Sequence, residues 1–152
     1  MNAHIASIAY KPADIERKPP DRFARVSVDR ATLVAGAGIL DDIKGRIEGR
    51  ELNIMLAETM EQLRADGFRC NPGELGEQLV IAGLPAGDAV PGQKFCLGDT
   101  AIIELLELRT PCSRLGHIQG KPLREARDRL GFMAKVLAGG EIAVGDGVWV
   151  KQ

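Results

Sequence analysis

The stretch CNPGELGEQLVIAGLPAGDAVPGQKFCLGDT, residues 70–100, limits the fold more than any other part of the chain. Glycine or proline interrupts it every few residues, so only brief strands such as QLVIAG and KFCLG fit between the turns. Short strands joined by glycine-rich turns favour a closed barrel or a sandwich over layered βαβ units. The flanking segments agree. HIASIAY alternates loosely as a first strand, and RVSVDRATLVAG, with Val26 and Val28 on one face, holds one or two more. AIIELLEL is bounded by GD and TP and reads as a strand with a bulge near Leu105, because Glu104 and Glu107 sit at i, i+3 rather than i, i+2. EIAVGDGVWV closes the chain as a hairpin-like pair around GDG.

Two segments carry a helical signal. In ELNIMLAETMEQLRADG, Leu52, Met55, Leu56, Met60 and Leu63 recur at helical spacing and Gly67 supplies a C-cap. KPLREARDRLGFMAKVLAGG is a second helical region, weakened at Gly131 and stopped at Gly139 and Gly140. Between the elements, KPADIERKPPDRF reads as an extended surface excursion. GAGILDDIKGRIEGRE is a long glycine-rich loop, of the kind that is often functional. The expected fold is mainly β with mixed α+β composition: a closed or partly closed β-barrel of short strands with two inserted helices, one domain over residues 1–152.

Composition narrows the function. Twenty basic side chains against 21 acidic ones give a net charge of −1, so no global field draws nucleic acid or an anionic membrane. No apolar run approaches the roughly 18 residues that span a bilayer. The N-terminus has no secretory pattern. Cys70, Cys96 and Cys112 are odd in number, widely spaced and without a CxxC pair, which points to free thiols in a reducing cytoplasm.

Several motifs fail on their chemistry. VAGAGILDD lacks the third glycine and the following helix of a dinucleotide site. GHIQGKP has the wrong spacing for a phosphate loop, and proline stands where a magnesium-binding hydroxyl is needed. His4 and His117 have no ligand-spaced partners, and His117 reads as a solvated loop residue. Glu74 and Glu77, in a glycine-rich turn, read as solvated or turn-stabilising groups.

RTPCSR is different. Pro111 cannot donate to a ladder, so the strand ends there and the thiol of Cys112 falls at a strand end or rim. Arg109 and Arg114 supply positive charge that favours the thiolate, the form that acts as nucleophile and metal ligand. A free cysteine is also a common inert hydrophobe. On local chemistry alone both readings stand.

Three segments together resemble the MOSC domain, the module at the C-terminus of molybdenum-cofactor sulfurases that also occurs as small stand-alone bacterial proteins. GILDDIKG (residues 38–45) is similar to the family's GLxGDxH loop, with Asp41 in place of the usual glycine, Asp42 retained and Lys44 at the histidine position. PGELGEQLVIAGLP (residues 72–85) is similar to GExGENLxxxG, with Gln78 replacing asparagine. PGQKFCLGDTAIIELLELRTPCSRL resembles the GDxLxIG strand pair leading to a PC motif. The resemblance implies a barrel-like β fold and a chemical role for Cys112, as persulfide carrier (catalytic) or as molybdenum ligand. It implies that Arg109, Arg114, Asp42, Lys44 and Arg50 bind the molybdenum cofactor, molybdopterin. The chemistry would be that of a sulfurtransferase, or of a cofactor-dependent reductase component acting on N-hydroxylated substrates. A non-catalytic pterin- or protein-binding module with Cys112 structural is the alternative. The implied partners are a cysteine desulfurase, which would carry the pyridoxal phosphate absent here, or a redox partner.

Overall fold

The computed structural model describes residues 2–15, 19–44 and 49–152. Along the chain run β1 (His4–Tyr10), β2 (Val26–Val28), β3 (Arg30–Val34), β4 (Gly38–Ile39), β5 (Leu52–Leu56), α1 (Ala57–Ala65), β6 (Leu79–Ala82), β7 (Lys94–Leu97), β8 (Ala101–Leu108), α2 (Ser113–Gln119), β9 (Phe132–Ala138), β10 (Gly140–Ala143) and β11 (Val148–Val150). The molecule is mainly β with two helices.

The strands form one eight-stranded sheet in the order β11-β7-β8-β9-β5-β6-β1-β2 and one three-stranded sheet in the order β10-β3-β4. Neither sheet is closed, which corrects the expected barrel. The chain leaves the large sheet at Asp29, between β2 and β3, and no ladder joins the end strands β2 and β11. An isolated bridge between His4 and Gly147 sets the start of β1 beside the chain just ahead of β11 without completing a ring.

The main core lies between the sheets. Ile5, Ile8, Leu33, Ile39, Ile54, Leu79, Phe95, Ile103, Val136 and Ile142 belong to it. A second core lies under the helices, where Met55, Met60, Leu63, Phe68, Leu75, Val80 and Leu115 meet. Strands β5 and β6 separate the two cores and are buried on both faces: Ile54 and Leu79 face one, Met55 and Val80 the other. They pair in parallel across α1, so the fold contains one βαβ unit where none was expected.

That double burial accounts for one misreading. The run Leu52–Leu56 is apolar at all but Asn53, and so short an apolar run joined to the Met60 and Leu63 spacing cannot be assigned to helix or strand by periodicity. Those five residues are β5, and the helix begins only at Ala57. The second expected helix is also corrected. It is a short 3-10 turn at Leu123–Ala126 followed by β9, in which Phe132, Ala134 and Val136 point inward at a spacing of two. Pairing on both edges, with β8 and β5, overrides the helix propensity of Met, Ala, Lys and Leu. The terminal hairpin is corrected as well: β10 pairs with β3 and β11 with β7, so the GDG turn carries the chain between sheets. The long loop contains the two-residue β4, and its residues 45–48 lie outside the described ones.

Other expectations hold. HIASIAY is β1, RVSVDRATLVAG contains β2 and β3, and QLVIAG and KFCLG contain β6 and β7. The ladder between β8 and β9 shifts register between Leu105 and Leu108, where the bulge was expected. Among the described residues no helix is long and apolar enough to cross a membrane.

Candidate functional site

The three motif segments meet at one place, and the meeting is made by buried polar groups. In the first loop Asp41 holds a left-handed backbone at φ 69°, a conformation that aspartate tolerates better than most residues. The next residue, Asp42, is 2% exposed. Its Oδ1 accepts hydrogen bonds from the backbone N–H groups of Lys11 (3.2 Å) and Lys44 (3.0 Å), and its Oδ2 accepts one from Gln78 Nε2 (3.2 Å). Gln78 Oε1 in turn accepts the N–H of Asn53 at 2.8 Å. A glutamine at this position therefore ties the first motif loop to the second and to β5.

The second loop is built around Glu77, a buried carboxylate. Both its oxygens accept backbone N–H groups, from Gly73 at 2.7 Å and from Leu75 at 3.1 Å, which is the turn-stabilising role expected for it. Burial pushes its pKa up, against the pull of those hydrogen bonds and of Arg109. Glu74 also stays within the turn and accepts the N–H of Asn71.

Arg109 joins the third segment to this turn. It is 9% exposed, and its Nη1 donates to Leu75 O at 2.6 Å. Burial lowers its pKa, opposed by the charges of Cys112 and Glu77 and reinforced by Arg25. The guanidinium thus feels the thiol three residues on. Arg114 reaches back across the chain, and its Nη2 donates to Pro19 O (2.8 Å) and Arg22 O (2.7 Å). The Arg114 and Arg25 guanidinium carbons lie 5.5 and 6.0 Å from the ring centre of Phe23. The end of the N-terminal excursion is therefore a wall of the site and not only surface. Residues 16–18 of that excursion lie outside the described residues.

These elements enclose a pocket of about 360 Å³, within the usual size range of small-molecule sites. Among the described residues six cations line it: Lys11, Arg25, Lys44, Arg50, Arg109 and Arg114. Cys112 lines it too, exposed, at the N-cap of α2. Of the six residues expected from sequence, five line this pocket. Asp42 does not, and its carboxylate sits behind the wall to hold two of the cation-bearing backbones.

Sequence reasoning missed Lys11, Phe23, Arg25, Asn53 and Met133, which come from the excursion, the residue ahead of β2, β5 and β9. They lie outside the matched motifs, and only the paired register of the strands brings them to the pocket. The helix after Cys112 was also missed. Gly116 lies inside it and only Leu115 and Ile118 are buried, so its apolar signal is one turn long.

The described lining is strongly cationic. Positive side chains of three loops face the pocket although the whole chain is nearly neutral. Arg25 Nε is buried without a hydrogen-bond partner among the described residues, a donor left for a ligand to satisfy. Burial also pushes the Arg25 pKa down, offset in part by Asp42 and Glu77. The other thiols differ from Cys112: Cys70 is 4% exposed and burial raises its pKa to about 11, while Cys96 is half-buried. Among the described residues no group of three or more His, Cys, Asp and Glu is arranged to hold a metal.

Comparison with known proteins gives the same answer as the motifs. The family model of the MOSC domain matches residues 21–149, and the chain belongs to the MOSC domain family, which is associated with molybdenum-cofactor-related functions. Its fold is similar to that of the YuaD protein from Bacillus subtilis (TM-score 0.77, 17% identity, covering 97% of this chain and 94% of that one). It is likewise similar to YiiM from Geobacillus stearothermophilus (TM-score 0.75, 19% identity, 99% and 75% covered). YiiM from Escherichia coli is similar at a TM-score of 0.69 and 19% identity, with 98% and 70% covered. A search of curated proteins gave no significant match.

Proposed function

We propose that the pocket takes up a phosphate-bearing molybdenum cofactor, a molybdopterin, and that Cys112 is the sulfur through which the chain handles it. One observation carries this reading: an exposed thiol lies in the wall of a 360 Å³ pocket lined by six cations. Lys44 and Arg50 from the first loop, with Lys11 and Arg25 beside them, would hold the phosphate, and Arg109 and Arg114 would flank the thiol. When bound, the cofactor supplies a molybdenum centre, an acceptor for soft sulfur.

As a carrier, the Cys112 thiolate attacks the outer sulfur of a persulfide on a cysteine desulfurase. The donor's S–S bond breaks, its cysteine leaves as a thiolate, and the sulfane sulfur stays on Cys112 as a persulfide. An accessible thiolate is the requirement, and the exposure of Cys112 meets it. The same exposure counts against a passive binding module in which Cys112 is a buried filler. In a reductase reading Cys112 is instead a metal ligand and electrons come from a redox partner. Free thiols suit a reducing cytoplasm in either case.

Purification from cells that make molybdopterin tests the pocket, with bound pterin measured by fluorescence after oxidation. The wild-type chain is expected to retain pterin, and a Lys44→Gln, Arg50→Gln double variant to bind at least about tenfold more weakly, the loss expected for charge-assisted contacts. An empty wild-type protein, beside a loaded molybdopterin protein from the same cells, would overturn the assignment.

A further inference from the structure

Three guanidinium groups gather at one turn. The turn runs from Gly73 to Glu77 and is closed by the N–H of Gly76 on Gly73 O. Its carbonyls hold two of the three: Leu75 O accepts Arg109 Nη1 at 2.6 Å, and Gly76 O accepts Arg25 Nη2 at 3.2 Å. The third, Arg114, shares the Phe23 ring with Arg25. Gly76 stands at φ 81°, and a Cβ there would come 2.8 Å from Arg109 Nη2 and 3.4 Å from the Phe23 ring. The guanidinium and the ring therefore rest on the bare face of this glycine, an approach that a side chain would block.

Like charges brought this close repel, so the placing of Arg109 and Arg25 depends on what holds the turn. Glu77 holds it. This residue is 1% exposed and lies behind the pocket wall rather than in it. Its carboxylate accepts the N–H groups of Gly73 and Leu75, and the carbonyl of the same Leu75 binds Arg109. One line of contact thus runs from the carboxylate to the guanidinium. The other side-chain nitrogens of Arg109 have no hydrogen-bond partner among the described residues. Arg25 Nε has none either. Glu77 is also the carboxylate whose charge acts on both arginines, offsetting part of what burial and a neighbouring guanidinium take away.

We propose that Glu77 is a positioning residue of the anion pocket: by closing the turn beneath Arg109 and Arg25, it aims their unpaired N–H groups at one bound anion. The inference rests on the reading of the pocket as an anion site and adds the buried group that sets two of its arginines. Glu77 takes no part in the sulfur exchange itself. The sign of its effect separates this role from simple charge. Removing a carboxylate near a cationic pocket makes the pocket more positive and more attractive to anions. Removing the group that places the arginines makes it less so.

The rates at which two methanethiosulfonates modify Cys112 on the folded full-length chain read the difference. In each, the Cys112 thiolate attacks the reagent's divalent sulfur, an S–S bond forms and methanesulfinate leaves. The rate for the anionic sulfonatoethyl reagent is divided by that for the neutral methyl reagent, which removes any change in thiol ionisation. Peptide mapping separates Cys112 from Cys70 and Cys96. A wild-type ratio at or below one would overturn the anion pocket itself, and the inference with it. Glu77→Gln is expected to lower the ratio by about threefold, within the range for one partly exposed charge pair, and Glu77→Asp to lower it less. Arg109→Gln should act similarly, and adding Glu77→Gln to it should lower the ratio by less than about twofold, because the two act through one contact. With the wild-type ratio above one, a Glu77→Gln ratio that stays within about 1.5-fold of wild type or rises would overturn the positioning role. So would a fall by the same factor with and without Arg109. If Glu77→Gln fails to fold, Gly76→Ala replaces it, because its Cβ displaces Arg109 Nη2 while Glu77 keeps its bonds to the turn. That variant should lower the ratio by about twofold, and an unchanged ratio would overturn the proposal.

Discussion

Alanine at position 131 is expected to destabilise the protein by about 4 kcal/mol, among the largest effects a single methyl group can have. Gly131 stands at φ 71°, and a Cβ there would lie 1.9 Å from Ile54 O and 3.0 Å from Met55 Cα. Those atoms belong to β5, paired on one edge with β9 through Ile54 and Phe132 and on the other with β6. No side chain can move aside to relieve the contact, because the obstacle is sheet backbone. The strain adds to the cost of a left-handed alanine. Melting should fall by roughly 12 °C for a domain of this size. Gly92→Ala is the control: its φ is 89°, but its Cβ would meet nothing within 4 Å. It should cost about 1 kcal/mol, the conformational term alone. The loss at Gly131 also reaches the site, because the N–H of Arg109 donates to Gly131 O at 2.9 Å.

The second large effect is expected at Asp42. Alanine there removes the acceptor of three hydrogen bonds, from Lys11 N, Lys44 N and Gln78 Nε2, and leaves the donors in a wall that is mostly buried. The cost should be about 3 kcal/mol. Asparagine keeps one acceptor oxygen but sets an amide donor against the Gln78 amide, so it should cost about half as much. Denaturant titration of both variants checks the order. Because Asp42 touches no part of the pocket surface, the pterin binding of a folded Asp42→Asn protein reports how far the cation-bearing backbones depend on it.

Much of this arrangement could be read in the sequence, and the parts that could not have a physical reason. Where a strand is buried on one face, as in the alternation of β1 or the Val26–Val28 pair, period two marks it. Where burial is two-sided, as in β5, the apolar run matches a helix equally well, and only pairing with β6 and β9 decides. The stretch 132–138 alternates in the structure, yet its residue types favour helix, and the ladder partners that overrule them lie some 25–80 positions away in the chain. Closure of the sheet is likewise a long-range property, with no local signature at Asp29 to announce that the chain changes sheets.

The site follows the same division. Cys112, Arg109, Arg114, Lys44 and Arg50 share one pocket because each belongs to, or stands beside, a motif loop whose chemistry is local. Asp42 belongs to such a loop too, but its role behind the wall depends on Gln78, 36 residues on. Lys11, Arg25 and Phe23 carry no motif at all. They reach the pocket because β1 and β2 pair at the edge of the large sheet and because Arg114 binds the carbonyls of residues 19 and 22. The bulge at Leu105 was visible in the spacing of two glutamates.

The central claim is that Cys112 carries sulfur, and intact-protein mass spectrometry tests it most directly. The protein is incubated anaerobically with cysteine and a cysteine desulfurase, beside Cys112→Ala. The account predicts a gain of one sulfur atom on the wild-type chain, removed by reductant and absent from the variant. No gain on the wild-type chain, while a control acceptor in the same mixture is persulfurated, or an equal gain on the variant, would contradict it.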